Sequence, residues 1–262
     1  MEEQSHALIH KDLALCLSGG GMRGAVHLGV VQYLLDHGYR IRAISGTSIG
    51  ALLGSLLAAG HRPKELVELM LHEDLRRLFV PVGSIRRGLF SHKKIRRLLG
   101  EMIPRDDFAA LQVPFYSCAV NLPKGKAVIF GSGSLFDKVL ASISIPLLFT
   151  PVTIDGDDHV DGGVLNNLPV EPLLGLGWPI LGVHANNYRF RQIRTGKEIF
   201  RRVMQLAVRQ SVERNKAFCD VFIEPPLQKE YALFEIKAAA ELYDTGYREA
   251  ERVMERSVEG II

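Results

Sequence analysis

Three cysteines in 262 residues, Cys16, Cys118 and Cys219, are too few and too widely spaced for a disulfide framework, a redox pair or a thiolate metal site. Each lies in or beside an apolar run, where a buried free thiol is the expectation. No apolar run approaches the roughly 20 residues that span a bilayer, and the longest covers only residues 49–59. The chain opens Met-Glu-Glu-Gln, acidic where an export signal is basic, so a cytoplasmic protein is expected, with room for peripheral contact at a membrane. A formal net charge of +3 gives no argument for nucleic acid as a partner. Repeats, low-complexity tracts and obvious linkers are missing as well. A hydrophobic fraction of 47% over this length suits one domain, residues 1–262, with its core over 13–256.

What is present is an alternation of short apolar runs and helical patterns. Strands are expected at 13–17, 41–45, near Val160, at 180–183 and at 221–223. Helices are expected at 24–37, after Ser48, after Pro63, after a Ser91 cap, at 135–142, 169–175, 197–218 and 234–255. Residues 115–122 and 126–130 flank Pro123-Lys124-Gly125 and read as a hairpin. This order argues for an α/β fold of three layers, α/β/α, around a central, mostly parallel sheet.

Gly46-Thr47-Ser48-Ile49-Gly50 joins the second strand to a helix rich in small residues. A serine on such a turn is held with its hydroxyl exposed, and Gly46 and Gly50 remove the side chains that would collide there. The helix that follows directs its positive end at the same point. Ser48 is therefore a candidate nucleophile.

Upstream, Gly19-Gly20-Gly21-Met22-Arg23-Gly24 follows the first strand and opens the first helix. Two readings compete. Gly19, Gly21 and Gly24 satisfy Gly-x-Gly-x-x-Gly, the dinucleotide fingerprint of an oxidoreductase. That reading needs a carboxylate ending the next strand, and Ala43-Ile44-Ser45-Gly46 offers none. The other reading is an oxyanion hole, in which backbone N–H groups converge on a developing negative charge.

A serine nucleophile needs a base. Nine histidines are available, and His184, directly after an apolar strand, would complete a Ser48, Asp161, His184 order in a carboxylesterase or acyltransferase. Asp161 itself stands in Asp161-Gly162-Gly163, a tight turn that leads into Asn166-Asn167-Leu168-Pro169.

These three segments in this order resemble the patatin-like phospholipase family, as do Ala141-Ser142-Ile143-Ser144-Ile145-Pro146 and Gly163 through Pro169. The resemblance runs from about Leu13 into the last helix. Leu147 departs from the glycine expected after Pro146. The resemblance implies a Ser48–Asp161 dyad without a catalytic histidine. It implies an oxyanion hole in Gly19–Gly24, with the amides of Gly20, Gly21 and Met22 as donors and Arg23 supporting the loop. It further implies calcium-independent hydrolysis of lipid or phospholipid acyl esters, with no metal and no cofactor. A catalytically silent lipid-binding protein is the remaining alternative.

Residues 75–100 hold Arg76, Arg77, Arg86, Arg87, Lys93, Lys94, Arg96 and Arg97 among apolar side chains, with no acidic residue. Such a segment suits contact with an anionic membrane, or a lid.

Overall fold

The computed structural model describes residues 11–72, 80–81, 88–186, 195–227, 231 and 236–258. The expected first strand forms as β1 (Asp12–Leu17), and its alternation sets the layers. Leu13, Leu15 and Leu17 enter the large core beneath α1 (Ala25–Asp36) and α2 (Ile49–Ala58). Ala14 and Cys16 point the other way, into a smaller cluster with Leu168, Val170 and Val212. Period-two alternation thus gives one strand two buried faces, as a sheet covered on both sides requires.

β1 lies between β2 (Arg40–Thr47) and β9 (Ile180–Val183), and β9 carries β10 (Val221–Ile223) on its far side. β2 in turn pairs with β5 (Phe115–Asn121), and all four of these pairings are parallel. The expected hairpin is β5 with β6 (Lys126–Phe130). The rest of the sheet is antiparallel, through β7 (Val152–Ile154) and β8 (Asp157–Asp161). Among the described residues the sheet therefore has eight strands, a parallel half and an antiparallel half. A separate pair joins β3 (Val80–Pro81) to β4 (Phe90–Ser91).

Expected helices appear as α3 (Pro63–His72), α4 (Lys93–Met102), α5 (Phe136–Ser142), α6 (Gly196–Lys216) and α7 (Ala239–Val258). Two expectations need correction. Residues 169–175 make only a single 3-10 turn, Glu171–Leu173, because Gly175 and Gly177 adopt positive φ and break any longer helix. His92, not Ser91, occupies the position before α4, and no side chain caps that helix.

One helix contact depends on the absence of side chains on both partners. A Cβ added to Gly29 of α1 would come within 1.9 Å of the Tyr243 carbonyl oxygen, and one on Gly246 of α7 within 2.2 Å of the Val26 carbonyl oxygen. Backbone cannot yield as a flexible side chain does. Gly29→Ala should therefore destabilise by about 2–4 kcal/mol, overriding alanine's better helix propensity, and urea unfolding will read the loss.

Candidate active site

Both edges of β5 are in use, and this sets the site. β6 holds one edge over Ser117–Asn121. The other edge is shared: β2 takes it up to the pair Thr47–Cys118, and β8 takes it from the pair Ala119–Asp161 onward. β2 and β8 run in opposite directions, so their C-terminal ends meet on neighbouring residues of β5. Ser48 follows Thr47, and Asp161 ends β8.

The side chains complete what the register begins. Ser48 Oγ donates to Asp161 Oδ2 at 2.5 Å, and both residues are at least nine-tenths buried. Ser48 has φ +57°, a left-handed conformation that costs a non-glycine residue about 1–3 kcal/mol. Two constraints hold it there. Its amide donates to Ser142 Oγ at 2.9 Å, and Ser142 Oγ donates to the Cys118 carbonyl at 2.6 Å. Gly50 lets α2 close on β1, since a Cβ there would lie 2.4 Å from the Leu17 carbonyl oxygen. Gly46 likewise abuts Gly50.

Asp161 is fixed independently of Ser48. Its Oδ1 accepts the Gly163 amide at 2.8 Å, and its own amide donates to the Ser144 carbonyl at 2.9 Å. Burial pushes its carboxyl up to about 6, against the opposing pull of the hydrogen bonds from Ser48 and Gly163. A carboxylate raised this far is a much better proton acceptor than one in water.

The glycine loop abuts this pair: a Cβ on Gly19 would lie 2.9 Å from Ser48 Cβ. Gly19 is itself clamped at both ends. Its amide donates to Asn167 Oδ1 at 3.1 Å, and its carbonyl accepts Asn186 Nδ2 at 2.5 Å. Gly19 therefore anchors the loop, its amide committed to Asn167. The next two amides differ. In a trans peptide the carbonyl and the following N–H point in opposite directions. Asn186, by holding the Gly19 carbonyl, sets the direction of the Gly20 N–H. Arg23 Nε donates to the Gly20 carbonyl at 3.0 Å and so sets that of Gly21. Gly20 to Met22 open a helical stretch, where amides have no intrahelical acceptor. Gly24 packs on Ile49 of α2, joining the loop to the serine turn.

Below the loop, His27 Nε2 donates to the Ser18 carbonyl at 2.8 Å, and burial holds this histidine down to about 4, hence neutral. His184 Nδ1 meets Glu224 Oε1 at 2.8 Å, and Arg209 reaches the same carboxylate. Asn167, Asn186 and Ser142 were not singled out from sequence. Asn167 and Ser142 lie inside the stretches that carried the resemblance, whereas Asn186 had no signal beyond standing two residues after His184.

Of the basic segment, Arg76, Arg77, Arg86 and Arg87 lie outside the described residues. In the part described, Arg96 pairs with Asp137 and Asp106, and Arg97 with Glu101 at 2.8 Å. Two of the four cations on α4 are thus paired with acids, Arg96 with residues distant in sequence. No helix of the described residues is long and apolar enough to cross a membrane.

Known proteins bear on this geometry. The patatin-like phospholipase family model matches residues 15–174. An NTE family protein of Mycobacterium bovis is 35% identical over 170 residues, covering 63% of this chain and 46% of that protein. Lysophospholipase NTE1 of Mycosarcoma maydis is 30% identical over 175 residues, covering 63% of this chain and 9% of that one. The match thus spans about half the length of the mycobacterial relative and far less of the fungal one. Among solved structures, VipD from Legionella pneumophila superposes with a TM-score of 0.66 over 95% of this chain and 67% of its own, at 17% identity, a likeness of fold. A family match over well more than half of its length establishes that this chain belongs to the patatin-like phospholipase family.

Proposed function

We propose that this chain is a serine acyl hydrolase that cleaves ester-linked fatty acids from lipids or phospholipids through a Ser48–Asp161 dyad. The observation that carries the reading is the 2.5 Å hydrogen bond from Ser48 Oγ to a buried Asp161, made on a strained turn beside the glycine loop. Family membership supports the chemistry, and the fungal relative named a lysophospholipase supports the substrate class. The reading takes residues 13–256 as one catalytic domain acting without a histidine, metal or cofactor. It is expected in the cytoplasm, with peripheral contact at membranes.

In the first half-reaction Ser48 Oγ attacks the ester carbonyl carbon while Asp161 Oδ2 accepts the hydroxyl proton. The carbonyl oxygen becomes an oxyanion facing the Gly20 and Gly21 amides. Such donors are worth about 3–4 kcal/mol each in acyl transfer. Collapse breaks the ester C–O bond, and Asp161 returns its proton to the departing alcohol. In the second half, Asp161 takes a proton from water as that water attacks the acyl-serine. The proton then passes back to Ser48 Oγ, and the fatty acid leaves. A triad through His184 is disfavoured, because the Ser48 hydroxyl donates to Asp161 instead.

Labelling with a fluorophosphonate, followed by peptide mapping, tests the nucleophile: the adduct should lie on Ser48 and vanish in Ser48→Ala. Label elsewhere would refute the reading. His184→Gln should keep kcat within about tenfold of the parent, whereas loss of a catalytic histidine would cost about a thousandfold or more.

The pH dependence follows from Asp161. It must be ionised to accept a proton, so kcat/KM should fall tenfold per pH unit below about 6. Stability has the opposite sign. The folded pKa of about 6 exceeds the ordinary 3.8, so the folded state holds the proton more tightly. The stabilisation this gives is complete below 3.8 and is lost as pH rises through 6, a difference of about 3 kcal/mol. Asp161→Asn should therefore abolish activity yet raise the urea midpoint at pH 8. A lowered midpoint would contradict the burial argument.

Asn186 tests the loop. Asn186→Ala frees the Gly19 carbonyl and with it the direction of the Gly20 amide. We expect kcat to fall about 10- to 100-fold with KM changed less than about threefold, since the amide acts on the transition state. A loss confined to KM would assign Asn186 to substrate binding instead.

A further inference from the structure

Around the dyad the described surface carries exposed apolar side chains. Leu147 is the extreme case, 78% exposed and with φ +70°. Glycine there would relieve the backbone and expose no hydrocarbon, yet the chain keeps a leucine that incurs both costs. Leu147 lies three residues after Ser144, whose carbonyl holds the Asp161 amide. On the other side of Asp161, Val164 and Leu165 follow the Gly162–Gly163 turn and are also exposed.

α6 extends this rim. As the crossover between parallel strands β9 and β10, it runs antiparallel to them, so its first turns lie toward the C-terminal ends of the strands, where Ser48 sits. Its 21 residues span about 31 Å, against about 13 Å for the four residues of β9. The second half is anchored against the sheet and the residues that hold the glycine loop. Ser211 Oγ accepts the Asn167 amide, Asn215 Nδ2 donates to the Leu168 carbonyl, and Val212 is buried. The first half therefore rises beyond the sheet edge. There Ile199, Val203 and Leu206, spaced four and three apart on one face, are each at least half exposed.

We infer that this rim, Leu147, Val164, Leu165 and the α6 stripe, is the surface by which the protein enters a lipid bilayer carrying anionic headgroups. Charge selects that occupant. The first two turns of α6 carry Lys197, Arg201 and Arg202 against Glu198 alone. Apolar side chains flanked by cations suit an anionic interface. A second copy of the chain would bring like charge against like. The inference deepens the lipid-hydrolase reading and rests on it for the choice of a lipid partner. It assigns docking to the rim rather than to the partly neutralised helix α4.

Sedimentation of Ser48→Ala protein with vesicles tests this without hydrolysis altering the lipid. One vesicle is phosphatidylcholine alone, and the other is an equal mixture with phosphatidylglycerol. Binding should favour the mixed vesicle. Leu147→Gly, which suits the observed φ, and Val203→Ser with Leu206→Ser should each weaken binding by about tenfold or more. In the Ser48 parent the same substitutions should leave hydrolysis of a monomeric short-chain ester within about twofold, which reports a folded site. Equal vesicle binding by parent and variants overturns the inference. So does a concentration-dependent dimer that the substitutions abolish, since the rim would then seat a second copy. If the parent binds mixed vesicles but hydrolyses no ester, docking stands and the catalytic reading falls.

Discussion

The shared edge of β5 is the constraint on which the site depends. A strand has two edges, and β6 claims one, so β2 and β8 must divide the other between them. Their junction at Cys118 and Ala119 brings two chain ends, 113 residues apart in sequence, within one hydrogen bond. The parallel half of the sheet delivers a strand-to-helix turn, and the antiparallel half delivers a carboxylate. Neither half supplies the pair alone. Ser142 fastens the junction, since its hydroxyl bridges the Ser48 amide to the Cys118 carbonyl. Backbone pairing, not side-chain attraction, thus provides the rigidity that a 2.5 Å contact needs.

That rigidity is held against two local costs. Ser48 carries a positive φ, and Asp161 carries a charge where burial disfavours it. Both costs fall on the two residues proposed to do the chemistry, while their backbone is held by hydrogen bonds from the surroundings. Gly19 is clamped by Asn167 and Asn186, and the Gly20 carbonyl is held by Arg23. The two asparagines hold the two peptide groups that flank Gly19, Asn167 from before β9 and Asn186 from just after it. A preorganised loop of this kind does not have to reorient as negative charge forms, and catalysis by fixed dipoles depends on that.

Much of this was legible from sequence because the local signals were strong. The glycine loop, the serine turn and Asp161-Gly162-Gly163 each sit where a strand meets a turn, and the sheet unites all three. Elements whose cause is tertiary were not legible. The β7–β8 hairpin carries Asp155-Gly156, both at positive φ, a turn signal that the short flanking strands made easy to overlook. The 169–175 stretch looked helical by its apolar residues, but Gly175 and Gly177 take conformations that no helix uses. Asn186 is invisible in one dimension, because its function is to meet a carbonyl 167 residues away. The basic run of 75–100 shows the converse: the acids that meet its Arg96, Asp106 and Asp137, lie outside the segment and are seen only in the fold.

On the proposed dyad, a carboxylate base has a physical consequence. An unperturbed imidazole titrates near 6.5, and burial brings Asp161 to about 6, so the carboxylate becomes nearly as basic. The basicity is a property of the surroundings rather than of the group. Water admitted to the site would solvate the carboxylate and draw it back toward 3.8, weakening the base and strengthening competition for the glycine amides together. A dyad therefore needs dryness more than a triad does. On the docking reading, the apolar rim supplies it: lipid seated against Leu147, Val164 and Leu165 excludes water from the side on which the ester enters. Interfacial contact would then raise kcat as well as local substrate concentration, because the same hydrocarbon that presents the ester keeps Asp161 basic.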